Sequence, residues 1–321
     1  MRFPPMLQKL ARWLVTSAAL AYVVWTLMEH KMWQDDEVSQ VFWHPPNPLL
    51  LWLFILGMPV NLGLETAKWH ALTSADRKPW SRSMREVLTG MTFGLVTPNR
   101  TGDAVARVAM VPPSERTSGA RAWAVGAWAQ AGWTWTFGAI SSAAVLTNAA
   151  MGNGEWAHGH RLPVAACAAV CVALVAAAIA WWRIPHWAAS GDGGWSRRFT
   201  DRFEGLKTPL SASQMNRQVI FSGLRFLVFT AQFACALGAW GIEVDGSIWT
   251  AIALVYLGNM LVPTAALAEL GVREALIVAW IQPEPDWTVP LVTATFAIWL
   301  VNLCIPALIG GGMQLTVRRH A

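Results

Sequence analysis

Two short stretches of the sequence place an acidic residue four positions before an arginine. Asp103 precedes Arg107 in one stretch, and Glu269 precedes Arg273 in the other. Residues four apart lie on one face of a helix, and acid before base is the favoured order of an ion pair. Within an apolar segment an isolated charge would cost about 2.5–3.5 kcal/mol or more. We therefore expect both pairs to lie inside protein or beside water, where they could bind a ligand.

A helix break precedes each pair and indicates a binding site for an anion. Arg100 follows Thr97-Pro98, and a helix that begins near residues 99–102 would direct free N–H groups towards the same point. Guanidinium groups and free backbone N–H groups together form a phosphate site. In the second stretch Pro263 breaks the helix and Glu274 adds a charge. Two plainer interpretations stay open: solvated loop charges for the first stretch, and a structural ion pair in a bent helix for the second.

Other polar side chains lie within apolar runs and could line the same site. Asn61 and Glu65 share one face of a predicted helix, and Asn259 lies shortly before the second break. For each residue taken singly, and for Gln130, Gln232 and Asn302, an interhelical hydrogen bond is the plainer role. Arg225 lies one or two turns into its apolar run and is expected to extend to the cytoplasmic surface. The predicted substrate-binding residues are Arg100, Asp103, Arg107, Glu269, Arg273, Glu274, Glu65 and Asn259. No cofactor or metal is expected.

The composition predicts a membrane protein. Of the 321 residues, 55% are hydrophobic and 13% are charged, whereas a soluble domain carries about 25% charged residues. Runs of about 20 apolar residues are long enough to span a bilayer as helices. Six such spans are predicted: Leu10–Met28, Pro48–Trp69, Ala120–Leu146, Pro163–Trp182, Gln218–Trp240 and Val289–Met313. The basic residues lie in short loops rather than in a stripe with aromatics, so nucleic acid is not an expected partner.

Two further apolar stretches, Met84–Val111 and Ser247–Ile281, are interrupted in the middle. Their arms are short: Gly271–Ile281 would rise only about 17 Å as a helix. Both are predicted to be re-entrant hairpins, the first entering from the cytoplasm and the second from outside. Because the two hairpins would enter the membrane from opposite sides and carry similar charge motifs, they suggest an inverted repeat, a common plan of transporters. Alternatively the second stretch crosses twice, which makes eight spans.

Loop charges predict the orientation of the chain. Basic residues lie before the first span, between the fourth and fifth and after the last, and acidic residues lie in the alternate loops. The basic loop residues assigned to the end of the second span are Lys68, Arg77, Lys78, Arg82 and Arg85. Both termini of this inner (plasma) membrane protein are therefore expected in the cytoplasm. Residues 188–216 are predicted to form a cytoplasmic amphipathic linker. The whole chain, residues 1–321, is predicted to be one all-α membrane helix bundle.

The two charged motifs also resemble those of a known family. Residues 97–103 with Arg107, and Val262-Pro263 followed by residues 269–275, are similar to motifs in the transmembrane region of lysylphosphatidylglycerol synthases, which are flippase-like integral membrane proteins. Residues 265–268 differ, because the family has glycines there. The resemblance implies lipid translocation, with Arg100, Asp103, Arg107, Glu269, Arg273 and Glu274 at matching positions. It does not imply lysyl transfer, because that family's transferase half is a large soluble domain for which this chain has no room.

These observations favour a lipid translocase that binds an anionic headgroup. One alternative is an intramembrane enzyme that acts on a lipid-linked phosphate, since arginines and carboxylates also serve phosphoryl transfer. Another is a non-catalytic partner of a membrane-bound synthase. The expected ligands are membrane lipids with anionic headgroups, and an enzyme is the less favoured interpretation.

Overall fold

The computed structural model describes residues 36–73, 78–97, 100–151, 171–183, 210–262, 266–281 and 285–316. These residues form helices and no strand, which confirms the all-α prediction for this part of the chain. The helices are α1 (Asp36–Trp43), α2 (Pro48–Thr73), α3 (Trp80–Leu95), α4 (Thr101–Met110), α5 (Arg116–Met151), α6 (Cys171–Arg183), α7 (Ala212–Ala239), α8 (Gly246–Leu261), α9 (Ala266–Ile281), α10 (Pro285–Trp299) and α11 (Ile305–Thr316).

Within the part of the chain that the structure describes, three helices are long and apolar enough to cross a membrane. They are α2 with 26 residues, α7 with 28 residues, and the continuous helix Asp286–Leu315 with 30 residues, which joins α10 to α11. At 1.5 Å per residue they measure about 39–45 Å, more than the roughly 30 Å of a hydrocarbon core. Shorter apolar helices are α6 and α8. The predicted span Leu10–Met28 and the linker at residues 188–209 lie outside the described residues, and the total number of crossings stays a prediction.

Helices α2 and α7 pack side by side in opposite directions along most of their length. At one end the backbone N–H of Asn47 donates to the carbonyl of Ala239 (3.2 Å), and at the other Gln218 Nε2 donates to the carbonyl of Lys68 (2.9 Å). A capping box at Ser211 begins α7 by satisfying N–H groups that the first turn cannot pair internally. The polar residues of the candidate site are arranged along this helix pair.

The first interrupted stretch folds as a helical hairpin of α3 and α4. Arg100 adopts a left-handed backbone conformation (φ 54°) just before α4, which turns the chain back. A side chain at Gly90 would lie 2.0 Å from Asp103 Oδ1, so glycine there lets α4 pack directly on α3. With 10 residues, α4 is only about 15 Å long and too short to cross a bilayer. This length agrees with the predicted re-entrant hairpin, whose position in a membrane stays a prediction.

The second interrupted stretch forms α8 and α9, which also pack against each other. Each has 16 residues and is about 24 Å long, between the lengths expected for a re-entrant arm and for a full crossing. Helices α7, α8 and α10 share the largest apolar core, which includes Phe233, Ile252 and Leu291, all fully buried. The choice between eight spans and six spans with hairpins therefore stays open, as does the inverted repeat.

A π-helical turn at Leu300–Cys304 interrupts the last long helix. Pro306 follows it and has no N–H group, so one carbonyl of the preceding turn loses a backbone donor. Such π turns occur frequently at functional sites. Asn302, at the centre of this turn, is buried and faces α2 and α7.

Candidate functional site

A cavity of about 390 Å³ lies inside the bundle, bounded mainly by α2, the α3–α4 hairpin, α5 and α7. Its aromatic wall includes Trp69 and Trp123, and Met260 and Leu303 contribute from α8 and the π turn. The polar lining residues are Glu65, Lys68, Arg100, Asp103, Arg107, Gln130, Thr134, Gln218 and Arg225. Four of the eight predicted binding residues, Glu65, Arg100, Asp103 and Arg107, are thus brought to one cavity.

The carboxylate of Glu65 is the centre of the charged network. Its Oε1 accepts from Arg107 Nη1 at 2.6 Å, and its Oε2 accepts from Arg225 Nη1 at 2.5 Å. Lys68, one turn further along α2, lies 3.4 Å from Oε2. Three cations from three helices therefore converge on one side chain that is 14% exposed. At this degree of burial the attraction within the network is screened far less than at a water-exposed surface.

The ion pair predicted between Asp103 and Arg107 is present. Arg107 Nε donates to Asp103 Oδ1 at 2.6 Å, and the pair lies on the inward face of α4. Trp123 Nε1, on α5, donates to Asp103 Oδ2 at 3.0 Å. The guanidinium of Arg107 also lies 5.8 Å from the ring centre of Trp69, a cation–π distance. Asp103 and the two aromatic residues hold Arg107 in place, with its guanidinium directed at Glu65.

Arg225 differs from the prediction, because it does not extend to the surface. Its Nε donates to Asn61 Oδ1 at 2.7 Å, and its Nη1 lies 2.5 Å from Glu65 and 3.4 Å from Gln130 Oε1. The sequence contained a signal for this position: Gln218, Arg225 and Gln232 recur every seven residues and so share one face of α7. Polar residues along one face of a helix favour an arginine side chain that points into the protein over one that extends to the membrane surface.

Lys68 was interpreted as a basic loop residue following the second span, and this interpretation is wrong. The side chain is 3% exposed and lies within α2. Its ammonium donates to the carbonyl of Gly126 at 3.1 Å and lies 3.5 Å from Gln130 Oε1. Asn61, Glu65 and Lys68 follow a spacing of four and then three residues, which is the pattern of one helix face. That spacing could have identified Lys68 as part of the site.

The cavity has an excess of positive charge. Among the described residues, its lining contains the four cations Lys68, Arg100, Arg107 and Arg225 but only the two carboxylates Glu65 and Asp103. Arg100 is exposed, whereas Arg107 and Lys68 are almost completely buried. In an environment with little water this excess favours an anion, and guanidinium groups suit the oxygens of a phosphate or carboxylate. Among the described residues, no group of three His, Cys or carboxylate side chains forms a metal site.

The second predicted charge cluster does not join this cavity among the described lining residues. Arg273 is 6% exposed and lies on α9, and neither it nor Glu274 is part of the cavity wall. The side-chain amide of Asn259 is buried and has no hydrogen-bond partner in the described part of the chain, although its neighbour Met260 does line the cavity. Glu269 lies in α9, and its side chain is outside the described part. The binding roles assigned to these four residues stay predictions.

Gln232 and Asn302 make the interhelical hydrogen bonds expected of them. Gln232 Nε2 donates to the carbonyl of Phe54 at 2.9 Å and to Asn302 Oδ1 at 3.2 Å. Gln232 continues the polar face of α7 beyond Arg225, away from the cavity, and Asn302 meets it from the π turn.

Comparison of the chain with family models, with curated proteins and with solved structures gives no match. The resemblance to flippase-like proteins stays a prediction from the sequence.

Proposed function

We propose that this protein binds a membrane lipid with an anionic headgroup and carries the headgroup between the two leaflets. The observation that supports the proposal is the cavity itself: it lies among helices apolar enough to span a membrane, yet its described lining residues include two more cations than carboxylates. Charges inside a membrane protein are costly, and they mark ligand or ion pathways by default.

The position of Glu65 along α2 supports a site below the membrane surface. Glu65 lies eight residues before the end of α2 at Thr73, which is about 12 Å along the helix axis. A helix of 26 residues exceeds a hydrocarbon core of roughly 30 Å by only about 9 Å. With α2 centred in the bilayer, the charged network would lie inside the core and nearer to the cytoplasmic end in the proposed orientation. An anionic headgroup could there leave water while its acyl chains stay in lipid.

Transport of this kind is proposed for the location and topology that the sequence predicts. In this proposal the protein lies in the inner membrane with both termini in the cytoplasm, and the hairpin of α3 and α4 enters from the cytoplasmic side. The short length of α4 and the exposed apolar residues on α2, including Leu49, Trp52 and Leu56, agree with this arrangement. The motif resemblance to flippase-like proteins points to the same function.

Reconstitution into liposomes tests the proposal directly. The assay uses phosphatidylglycerol with a fluorescent acyl chain, and a membrane-impermeant quencher reports how fast the lipid moves from the inner to the outer leaflet. Wild-type protein should accelerate this movement. Arg107→Gln removes one guanidinium from the cavity and should abolish the acceleration. Arg85→Gln is the matched control, because Arg85 is an exposed arginine on α3 that does not line the cavity, and it should retain wild-type rates.

The same experiment separates transport from the alternatives. Mass spectrometry of the recovered lipid should show an unchanged mass, whereas an altered mass would identify an enzyme acting on the lipid. Equal rates with wild-type protein, Arg107→Gln and protein-free liposomes would contradict the transport proposal. In that case co-purification of a membrane-bound synthase would favour the role of a non-catalytic partner.

A further inference from the structure

The arrangement around Glu65 is that of an anion site whose anion is supplied by the protein. The two carboxylate oxygens accept from different arginines, at 2.6 Å from Arg107 and 2.5 Å from Arg225, and Lys68 lies 3.4 Å from the second oxygen. Bridging of two guanidinium groups by two oxygens is also how a phosphate binds to arginines. The same three cations line the cavity, so an incoming oxyanion would meet them already occupied.

A second void lies next to Glu65. It measures about 20 Å³, and its polar lining residues are Asn61, Glu65, Arg225 and Asn302. A space of this size holds about one water molecule. Glu65 lines both this void and the large cavity, so its side chain stands between the two spaces.

The lining of the void includes a buried hydrogen-bond donor that has no acceptor among the described residues. The carbonyl of Phe54 can only accept, so its 2.9 Å contact fixes the amide nitrogen of Gln232 on that side. That nitrogen also donates to Asn302 Oδ1, which leaves the nitrogen Nδ2 of Asn302 as the free end of its amide. Asn302 is 6% exposed, and its Nδ2 has no partner within the described part of the chain. A buried donor without an acceptor is costly, and the nitrogen suits an acceptor oxygen rather than a metal cation.

We propose that Glu65 is a displaceable internal anion: the oxyanion of the ligand takes its place on Arg107, Arg225 and Lys68, and the carboxylate turns into the small void, where Asn302 Nδ2 donates to it. This inference rests on the proposed function for the identity of the ligand as a lipid headgroup, but the exchange itself needs only an oxyanion. The cations are never left without a counter-charge, because one anion leaves as the other arrives. Because the Glu65 carboxylate competes with the ligand for the same cations, the ligand does not bind too tightly to be released. A carrier requires such release.

Inorganic phosphate tests the exchange without a lipid. The dissociation constant for phosphate is measured by isothermal titration calorimetry on the full chain in detergent, at constant ionic strength. Glu65→Gln keeps the shape of the side chain but removes its charge, so it should bind phosphate at least about tenfold more tightly than wild type, the effect of roughly one charge-assisted hydrogen bond. Its unfolding temperature should also rise more with added phosphate, because phosphate replaces the missing charge.

Glu86→Gln is the matched control. Glu86 is a carboxylate that is 1% exposed and contacts Trp69, Lys78 and Arg82, but it does not line either cavity. Its substitution should leave phosphate affinity within about twofold of wild type, because Glu86 pairs with Lys78 and Arg82, neither of which lines the cavity. Glu65→Asp serves if Glu65→Gln does not fold, because the shorter side chain cannot reach both arginines and should also bind phosphate more tightly than wild type.

Asn302→Leu tests where the displaced carboxylate goes. With Glu65 present, this substitution should weaken phosphate binding, because the carboxylate loses its second position. In the Glu65→Gln background it should have no effect. Equal or weaker phosphate binding by the Glu65 variants would overturn the displacement, and equal effects of Asn302→Leu in both backgrounds would overturn the role of the void. A protein that binds phosphate in this pattern but moves no lipid would refute the transport proposal alone.

Discussion

Substituting Gly90 by alanine should strongly destabilise the protein, although glycine-to-alanine changes within helices usually stabilise. The usual gain is about 0.5–1 kcal/mol. At this position the new Cβ would lie 2.0 Å from Asp103 Oδ1 and 2.7 Å from Arg107 Nε, where ordinary contacts begin at 3.4 Å. The Asp103 side chain must therefore move by more than 1 Å, which breaks its 2.6 Å ion pair with Arg107. Breaking a buried pair costs about 3–5 kcal/mol, so we expect a net loss of about 2–4 kcal/mol.

Chemical unfolding of the purified protein in detergent micelles, followed by tryptophan fluorescence, measures this difference. Gly63→Ala is the matched control, because Gly63 lies within α2 and a side chain there would meet nothing within 4 Å. It should be neutral or stabilise by up to about 1 kcal/mol. If Gly90→Ala proves as harmless as Gly63→Ala, then α4 does not pack on α3 as described, and the position of Arg107 in the cavity is wrong as well.

Two further predictions concern hydrogen bonds that a carboxylate accepts. Trp123→Phe removes the donor to Asp103 Oδ2, a 3.0 Å contact, and should cost about 1.5–3 kcal/mol of stability in the same unfolding assay; an unchanged stability would show that Trp123 does not hold Asp103. Hydrogen bonds from the Ser247 hydroxyl and the Ile248 N–H lower the pKa of Asp245, the N-cap of α8. The stabilisation is therefore present above the pKa of the unfolded chain and is lost as pH falls through the lower folded pKa. Asp245→Asn keeps the cap without this pH dependence, whereas Asp245→Ala should lose about 1 kcal/mol at neutral pH; identical pH profiles for wild type and Asp245→Asn would contradict this account.

The sequence predicted the parts of the site that follow from local spacing. Asp103 and Arg107 are four residues apart, and their ion pair depends only on helix geometry. The three long apolar helices correspond to predicted spans for the same kind of reason, since hydropathy and length are local properties. The hairpin of α3 and α4 was likewise indicated by the interruption between its arms.

The partners of these residues could not be predicted, because they depend on which helices pack together. Glu65 contacts Arg107, 42 residues away, and Arg225, 160 residues away. Arg225 lies only one or two turns from the end of its apolar run, so the sequence favoured a side chain that extends to the membrane surface. In the tertiary structure the side chain instead contacts Glu65 and Asn61. Lys68 was placed in a loop for a similar reason, because its position near the end of an apolar run does not show that α2 continues to Thr73.

The arrangement of the charges changes how a transport mechanism would have to work. The sequence predicted two re-entrant hairpins with similar charge motifs, but in the described residues the charged network is built on α2 and α7 and receives only Asp103, Arg107 and Arg100 from the first hairpin. Gln218, Arg225 and Gln232 on α7 extend over 14 residues, about 21 Å of helix, so polar groups follow the α2–α7 contact through most of a bilayer core. Under the transport proposal, a headgroup that leaves the cavity would follow this contact towards Asn302, and the π turn that carries Asn302 would have to rearrange. That turn has already lost one backbone donor at Pro306, which lowers the cost of a local rearrangement relative to an intact helix.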